Sequence, residues 1–143
     1  MNKFSAALVG WFARHRRQLP WRSNRTPYSV WISEVMLQQT TVATVIPRFK
    51  AWMKKYPTVR RLAAASEREV LRAWEGLGYY SRARNLLKAA RLIVERNKGR
   101  LPDSFDEIRQ LPGIGDYTAS AILSIAFNKP YPVIDANVKR VMA

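Results

Sequence analysis

Two isolated carboxylates set the chemical question. Glu34 stands in Ser33-Glu34-Val35-Met36-Leu37-Gln38-Gln39-Thr40, a mostly apolar stretch that ends in an abrupt polar break. Asp135 stands far downstream in Val133-Ile134-Asp135-Ala136-Asn137-Val138-Lys139-Arg140, at what reads as the start of a helix. Apolar neighbours such as Trp31 and Val35-Met36-Leu37 raise a carboxyl pKa by desolvation, the state a general acid needs near neutral pH. A helix N-terminus does the reverse, because its positive dipole end favours the anion. One carboxyl biased toward neutral and one toward charged is how two acids divide proton donation from cation stabilisation in glycosidic-bond chemistry. Each residue has a plainer explanation as well. Glu34 also fits an exposed glutamate on the polar side of an amphipathic helix, and Asp135 an ordinary N-cap for residues 136–142.

Between them lies Leu111-Pro112-Gly113-Ile114-Gly115-Asp116-Tyr117-Thr118-Ala119. Gly113 and Gly115 admit torsions and close approaches that a Cβ blocks. Pro112 sets the entry, and a helix from Asp116 offers free N–H groups at its positive end. Successive N–H groups around such a turn form an anion nest. The stretch therefore reads as a helix-hairpin-helix element that holds DNA phosphate without reading sequence; the alternative is a helix–helix turn with a glycine cap. Gln38, Gln39, Tyr79 and Tyr80 fall in two further tight turns, the second being Gly76-Leu77-Gly78-Tyr79-Tyr80. Side chains on such turns can wedge into a duplex and fill the hole left by an extruded base, or the tyrosines simply cap the core. The tryptophans at 11, 21, 31, 52 and 74 are read as core, with Trp21, between Pro20 and Arg22, the candidate exception.

Composition narrows the partner. The 143 residues carry 25 basic and 10 acidic side chains, a formal charge of +15. That surplus favours a polyanion, most commonly nucleic acid, although ribosomal and membrane-surface proteins carry similar charge. A hydrophobic content of 48% excludes general disorder, and the length suits one domain with a real core. There is no cysteine, so disulfides, thiolate nucleophiles and cysteine-ligated zinc or iron–sulfur clusters are excluded within this chain. The N-terminus lacks a signal-peptide core and no run reaches membrane-spanning length. The expectation is a soluble cytoplasmic protein with no membrane partner, nucleoid-associated when on DNA.

The elements that must position these residues read as helical throughout. Phe4, Leu8, Trp11 and Phe12 share one face of a first helix that ends in Arg14-His15-Arg16-Arg17, cations suited either to a solvated helix C-terminus or to a phosphate. His15 reads as a surface residue. Leu19-Pro20-Trp21-Arg22 breaks the helix. A second runs from near Tyr28 to about Gln38, and Thr40 and Thr41 mark a break and a new N-cap. The next helix carries Val42, Val45, Ile46, Phe49 and Trp52, with a kink expected at Pro47. Ser66-Glu67-Arg68-Glu69 matches a capping box for a helix closing at Gly76. Residues 81–97 form another, with Gly99 just past its end, and Ser104 to Glu107 repeats the capping-box spacing for a short helix ending at Leu111. Residues 116–127 make an apolar helix through Ala119, Ile122, Leu123, Ile125 and Ala126, and a last one begins at Asp135. The expected fold is an all-α helical barrel or bundle with a helix-hairpin-helix DNA-binding element. Its divisions are an N-terminal helix at 1–19, a central barrel at about 28–134, the hairpin at 111–118 and the start of a final helix at 135–143. That last helix is short and uncapped at Ala143, so the chain reads as cut short at its C-terminal end.

These segments together resemble the helix-hairpin-helix DNA glycosylases, and within them the MutY-type A/G-specific adenine glycosylases. The likeness runs through Leu-Pro-Trp-Arg at 19–22, Thr-Pro-Tyr at 26–28, Ser-Glu-Val-Met-Leu-Gln-Gln-Thr at 33–40, Gly-Leu-Gly-Tyr-Tyr at 76–80, the hairpin, and Asp135 to Arg140. Related endonuclease III enzymes place a lysine nucleophile where this chain has Tyr117. Tyrosine forms no Schiff base, so the resemblance implies a monofunctional enzyme. It implies that Glu34 protonates the adenine and later activates water, and that Asp135 stabilises or traps the oxocarbenium-like sugar, supported by Tyr117 and Asn137. Trp21, Arg22 and Leu37 would line the adenine pocket. Gln38 and Gln39 with Tyr79 would meet the duplex at the lesion pair, while Gly113, Ile114, Gly115 and Thr118 of the hairpin, with Lys139, would hold its backbone. The implied substrate is adenine mispaired with 8-oxoguanine or guanine in double-stranded DNA, and the alternative is a non-catalytic DNA-binding fragment or an incomplete gene product inactive alone. Members of the family usually continue into further helices, a four-cysteine [4Fe-4S] loop and a lesion-recognition domain, none of which is present in these residues. The expected species is a monomer, or a complex in which a second chain supplies the missing helices. Phe4, Leu8, Trp11 and Phe12 are then expected to be partly exposed, an aggregation risk.

Overall fold

Polar caps cut this chain into short helices. The computed structural model describes residues 1–143, and every regular element in it is helical: α1 (Lys3–His15), α2 (Pro20–Ser23), α3 (Pro27–Leu37), α4 (Val42–Lys55), α5 (Val59–Ala63), α6 (Glu67–Ala73), α7 (Ser81–Asn97), α8 (Phe105–Arg109), α9 (Asp116–Ala121), a π-helical continuation (Ile122–Ala126), and α10 (Ala136–Met142). Asn2, Thr26, Thr41, Thr58, Ser66, Ser104 and Asp135 each accept a backbone N–H at a helix start. Ser66 and Glu69 complete a reciprocal capping box.

The expected helices are present, with local differences. Pro20 opens a one-turn helix at the break after α1, because proline's missing N–H costs nothing at a first helical position. Pro47 lies inside α4, and the helix continues through it to Lys55; Pro47 and Ala43 both face solvent, where the carbonyl freed by the missing donor can be hydrated. α6 ends at Ala73, ahead of Gly76, whose φ of +90° turns the chain. α8 likewise ends at Arg109 rather than Leu111. The helix after the hairpin widens into π geometry at Ile122. The extra residue per turn shifts the phase of the remaining helical residues, and Ile125 emerges 38% exposed instead of facing the core.

α3 is the centre of the molecule. It is apolar nearly all round, with Trp31, Ile32 and Met36 fully buried, and it packs against α2, α4, α9 and the π segment. α7 packs against α5 and α6, and a single hydrophobic cluster joins both groups. Trp52 and Trp74 meet edge to face at 5.7 Å, and Trp21 meets Phe49 at 5.5 Å. α1 buries nothing: Phe4, Leu8, Trp11 and Phe12 are 43–64% exposed, so Trp11 is not a core residue and instead stacks on His15 at the surface. No helix is long and apolar enough to cross a membrane.

One buried polar relay ties α3 to α4. The Tyr28 hydroxyl donates to the Tyr56 carbonyl at 2.6 Å and accepts from Trp52 Nε1 at 3.2 Å; burial drives its pKa upward, so it remains a donor. Tyr28→Phe strands a buried indole N–H and a carbonyl, so the loss of stability is expected at about 1–3 kcal/mol. The check is the urea midpoint at unchanged slope, with the same loss not repeated when Trp52→Phe is added.

Candidate active site

An apolar helix places Glu34 among neighbours that hydrate it poorly. Two clefts meet at that residue. The first, about 390 Å³, is walled by Trp21, Leu37, Val42 and Ile125 on its apolar side and by Arg17, Arg22 and Arg25 on its cationic side. The second, about 650 Å³, is lined by the turn 38–40 together with Tyr117, Asp135 and Asn137. Glu34, Leu37 and Val42 belong to both walls. The fold thus brings together the carboxylates separated in sequence, with Tyr117 beside them. Trp21 is buried and packs edge to face with Phe49, yet lines the first cleft.

The two acids differ in surroundings. Desolvation raises the Glu34 pKa, the neighbouring Tyr117 hydroxyl opposes the shift, and the Asp135 charge adds to it. Tyr117 is pushed up in turn by burial and then by the neighbouring carboxylates, so it remains a neutral phenol and a donor. Asp135 is the N-cap of α10, its Oδ1 accepting from Val138 N at 2.7 Å, while Oδ2 carries no protein hydrogen bond. Asn137 is exposed at the start of α10 and accepts from Arg140 Nη2 at 3.2 Å; Lys139 is exposed on the same helix. Arg22 donates to the Arg17 carbonyl at 2.8 Å and lies 5.4 Å from the Phe12 ring centroid. Its pKa is lowered by burial first and then by Arg17, Arg25 and Arg16.

The two turns present side chains outward. Gln39 (φ +55°) and Tyr79 (φ +47°) both hold the left-handed conformation without being glycine, and Tyr79 is 66% exposed, so it does not cap the core. Gln38 behaves differently from Gln39: its Nε2 donates to Thr118 Oγ1 at 3.2 Å, which ties the first turn to the hairpin helix. Thr118 is buried and Ile114 points into the core, leaving only their backbones to meet a solvent-side group. In the hairpin, Gly113 has φ +79° and a Cβ there would sit 2.8 Å from Asn85 Cβ. Gly115 is extended, with open space where a Cβ would go, so its torsion is available to any residue and what it offers is clearance. The α9 N-terminus has no side-chain cap, leaving first-turn N–H groups free. Asp116 beside them is paired with Arg109 Nε at 2.5 Å.

Sequence reasoning misses Arg17, Arg25, Ser33 and Val42 in the first cleft and Arg82 beneath the turns. The cationic run at 14–17 is visible as charge, with no sign of which cation would face Glu34. The [4Fe-4S] cluster implied by the resemblance has no cysteine ligand here, and no group of His, Cys, Asp and Glu could hold a metal. The residues present do not fit such a group.

Residues 32–143 match the family described as "HhH-GPD superfamily base excision DNA repair protein". The chain is 49% identical over 140 residues to an adenine DNA glycosylase of Buchnera aphidicola subsp. Acyrthosiphon pisum, covering 97% of this chain and 40% of that protein. It is 49% identical over 151 residues to the Homo sapiens adenine DNA glycosylase, covering 99% and 28%. The chain thus spans less than half the length of these curated relatives. Among solved structures, a thermostable thymine-DNA glycosylase superposes with a TM-score of 0.91 at 31% identity, covering 97% of this chain and 64% of its own. A trapped endonuclease III–DNA covalent intermediate superposes at 0.84 and 29%, covering 96% and 64%. Motif order, helical architecture and these likenesses agree: the chain belongs to the HhH-GPD superfamily of base excision DNA repair proteins.

Proposed function

We propose that this chain carries the catalytic centre of a monofunctional adenine DNA glycosylase, which hydrolyses the bond between adenine and deoxyribose where adenine is mispaired with 8-oxoguanine or guanine in duplex DNA. The observation that carries the reading is Glu34 standing in the shared wall of two clefts, one apolar and cationic, the other holding Asp135. The extruded base enters the first against Trp21 and Leu37, and its sugar lies in the second. Glu34, whose pKa desolvation raises above the ordinary carboxyl value, gives its proton to a ring nitrogen as the bond to C1′ breaks and the base leaves with the bonding electrons. The unbonded Oδ2 of Asp135 stabilises the positive charge developing on the sugar. Water then adds to C1′, and its proton returns to Glu34. Tyr117 orients the Glu34 carboxyl as a donor and, as a neutral phenol, supplies no amine for strand cleavage. The hairpin backbone around Gly113 and Gly115, the free N–H groups of α9 and Lys139 hold phosphate.

A single-turnover assay on a duplex with one adenine opposite 8-oxoguanine tests the assignment. Glu34→Gln is expected to slow base release by about 10²–10⁴-fold while salt-dependent duplex binding persists; parallel loss of both overturns the acid role. Asp135→Asn retains an oxygen for the cap and loses the charge, so release slows severely. Release at the parent rate would make Asp135 a cap only, and absence of release from the parent chain with binding retained favours a DNA-holding module.

The same desolvation has a thermodynamic signature. Because Glu34 binds its proton more tightly folded than unfolded, stability falls as pH rises from the ordinary value of 4.5 through the raised folded value. Glu34→Gln removes that penalty. The variant is expected to melt above the parent at pH 7, the gap closing as the pH drops below the ordinary carboxyl range. Equal melting temperatures at both pH values would place Glu34 in water.

A further inference from the structure

Beneath the two outward turns lies one guanidinium. Arg82 Nη1 donates to the carbonyls of Val35 and Gln38, both at 2.6 Å, and Nη2 to those of Leu77 at 3.0 Å and Gly78 at 3.2 Å. A longer contact reaches Thr40 Oγ1 at 3.4 Å. The guanidinium also lies 5.1 Å from the Trp74 ring centroid and 5.9 Å from that of Tyr79, and its Nε is buried without a partner. Its neighbours thus belong to the C-terminal end of α3, the turn after it, and the turn 76–80. Both turns carry a non-glycine residue in left-handed backbone, Gln39 and Tyr79, a state that persists only where the surroundings over-determine it.

We propose that Arg82 is a positioning residue, whose two-sided fork locks the turns carrying Gln39 and Tyr79 into one unit that enters the duplex together, in fixed register with the end of α3 that bears Glu34. The inference rests on the glycosylase reading for its substrate, duplex DNA with an extruded base. An ordinary helix C-cap would need only the α3 carbonyls; the second half of the fork, spent on Leu77 and Gly78, is what couples the turns. Arginine is required because a planar fork meets two separate carbonyl sets at once, whereas a lysine ammonium on its single stem cannot.

The test uses the full chain, its Arg82→Lys variant, and duplexes carrying 2-aminopurine next to the mispaired adenine, whose fluorescence reports unstacking. Arg82→Lys keeps the charge, and is expected to retain helical content and binding to undamaged duplex. It loses the unstacking signal and slows single-turnover adenine release by about 100-fold, the cost of a displacement near 1 Å. In that background Gln39→Ala and Tyr79→Ala add nothing further. Additive losses, or a parallel fall in undamaged-duplex binding and melting temperature, overturn the proposal and leave Arg82 a general stabiliser. Should the lysine variant fail to fold, the Gln39→Ala and Tyr79→Ala cycle in the otherwise unchanged chain decides it: non-additive effects on unstacking support a single unit, and additive ones overturn it. A parent chain that unstacks the duplex without releasing base sinks the glycosylase reading alone, because the fluorescence arm still judges Arg82.

Discussion

A helix that is apolar on every side must be enclosed, and the enclosure of α3 governs the rest of the molecule. Trp31, Ile32 and Met36 leave it little face for water, so α2, α4, α9 and the π segment close around it. An ionisable group on such a helix is costly to charge. Glu34 escapes full burial only because the surrounding elements leave two clefts along its side. The chemistry and the packing therefore share one cause: the hydrophobic demand that assembles the core also pushes the Glu34 carboxyl toward its neutral form.

Arginine does a second kind of work here. Many short helices leave many unpaired carbonyls, and guanidinium groups meet them: Arg22 at Arg17, Arg60 at Lys98, Arg91 at Ala63 and Ala65, Arg109 at Ile114, and Arg82 at both turns. The ion pairs, by contrast, are Arg84–Glu67, Arg109–Asp116 and Lys129–Asp103, all on exposed side chains, a class worth about 0–1 kcal/mol each. Main-chain dipoles satisfy the donors without cancelling the charge. The surplus of +15 stays available to a polyanion.

The sequence made much of this legible, for physical reasons that differ by residue. Ser66 with Glu69, and Thr41 and Asp135 before their helices, act within one turn of themselves, so their spacing could be read directly. Glu34 and Asp135 were marked by being lone acids in apolar or helix-initiating surroundings; that they share a cleft depended on tertiary packing. The short α5, opened by Thr58, lacks the length that periodicity needs. Gly113 and Gly115 look alike as letters and differ in space, one pressed against Asn85 and the other open. Arg82 left no trace because every residue has a carbonyl, and those it meets in the first turn lie 44–47 positions away. The π turn that brings Ile125 to the cleft is likewise a departure from the period by which helices are recognised.

The left-handed backbone at Gln39 and Tyr79 sets stability against use. Each such residue holds roughly 1–3 kcal/mol of strain, and glycine at either position would relieve it while deleting the side chain that faces outward. A lineage or a laboratory selection that rewarded heat resistance alone would drift toward glycine at these two sites, as at Lys98 and Asn128, which share the left-handed backbone, and would gain a sturdier protein with blunted turns. Persistence of a bulky side chain there under thermal selection is therefore itself a mark of use, readable from sequence variation without any assay of catalysis.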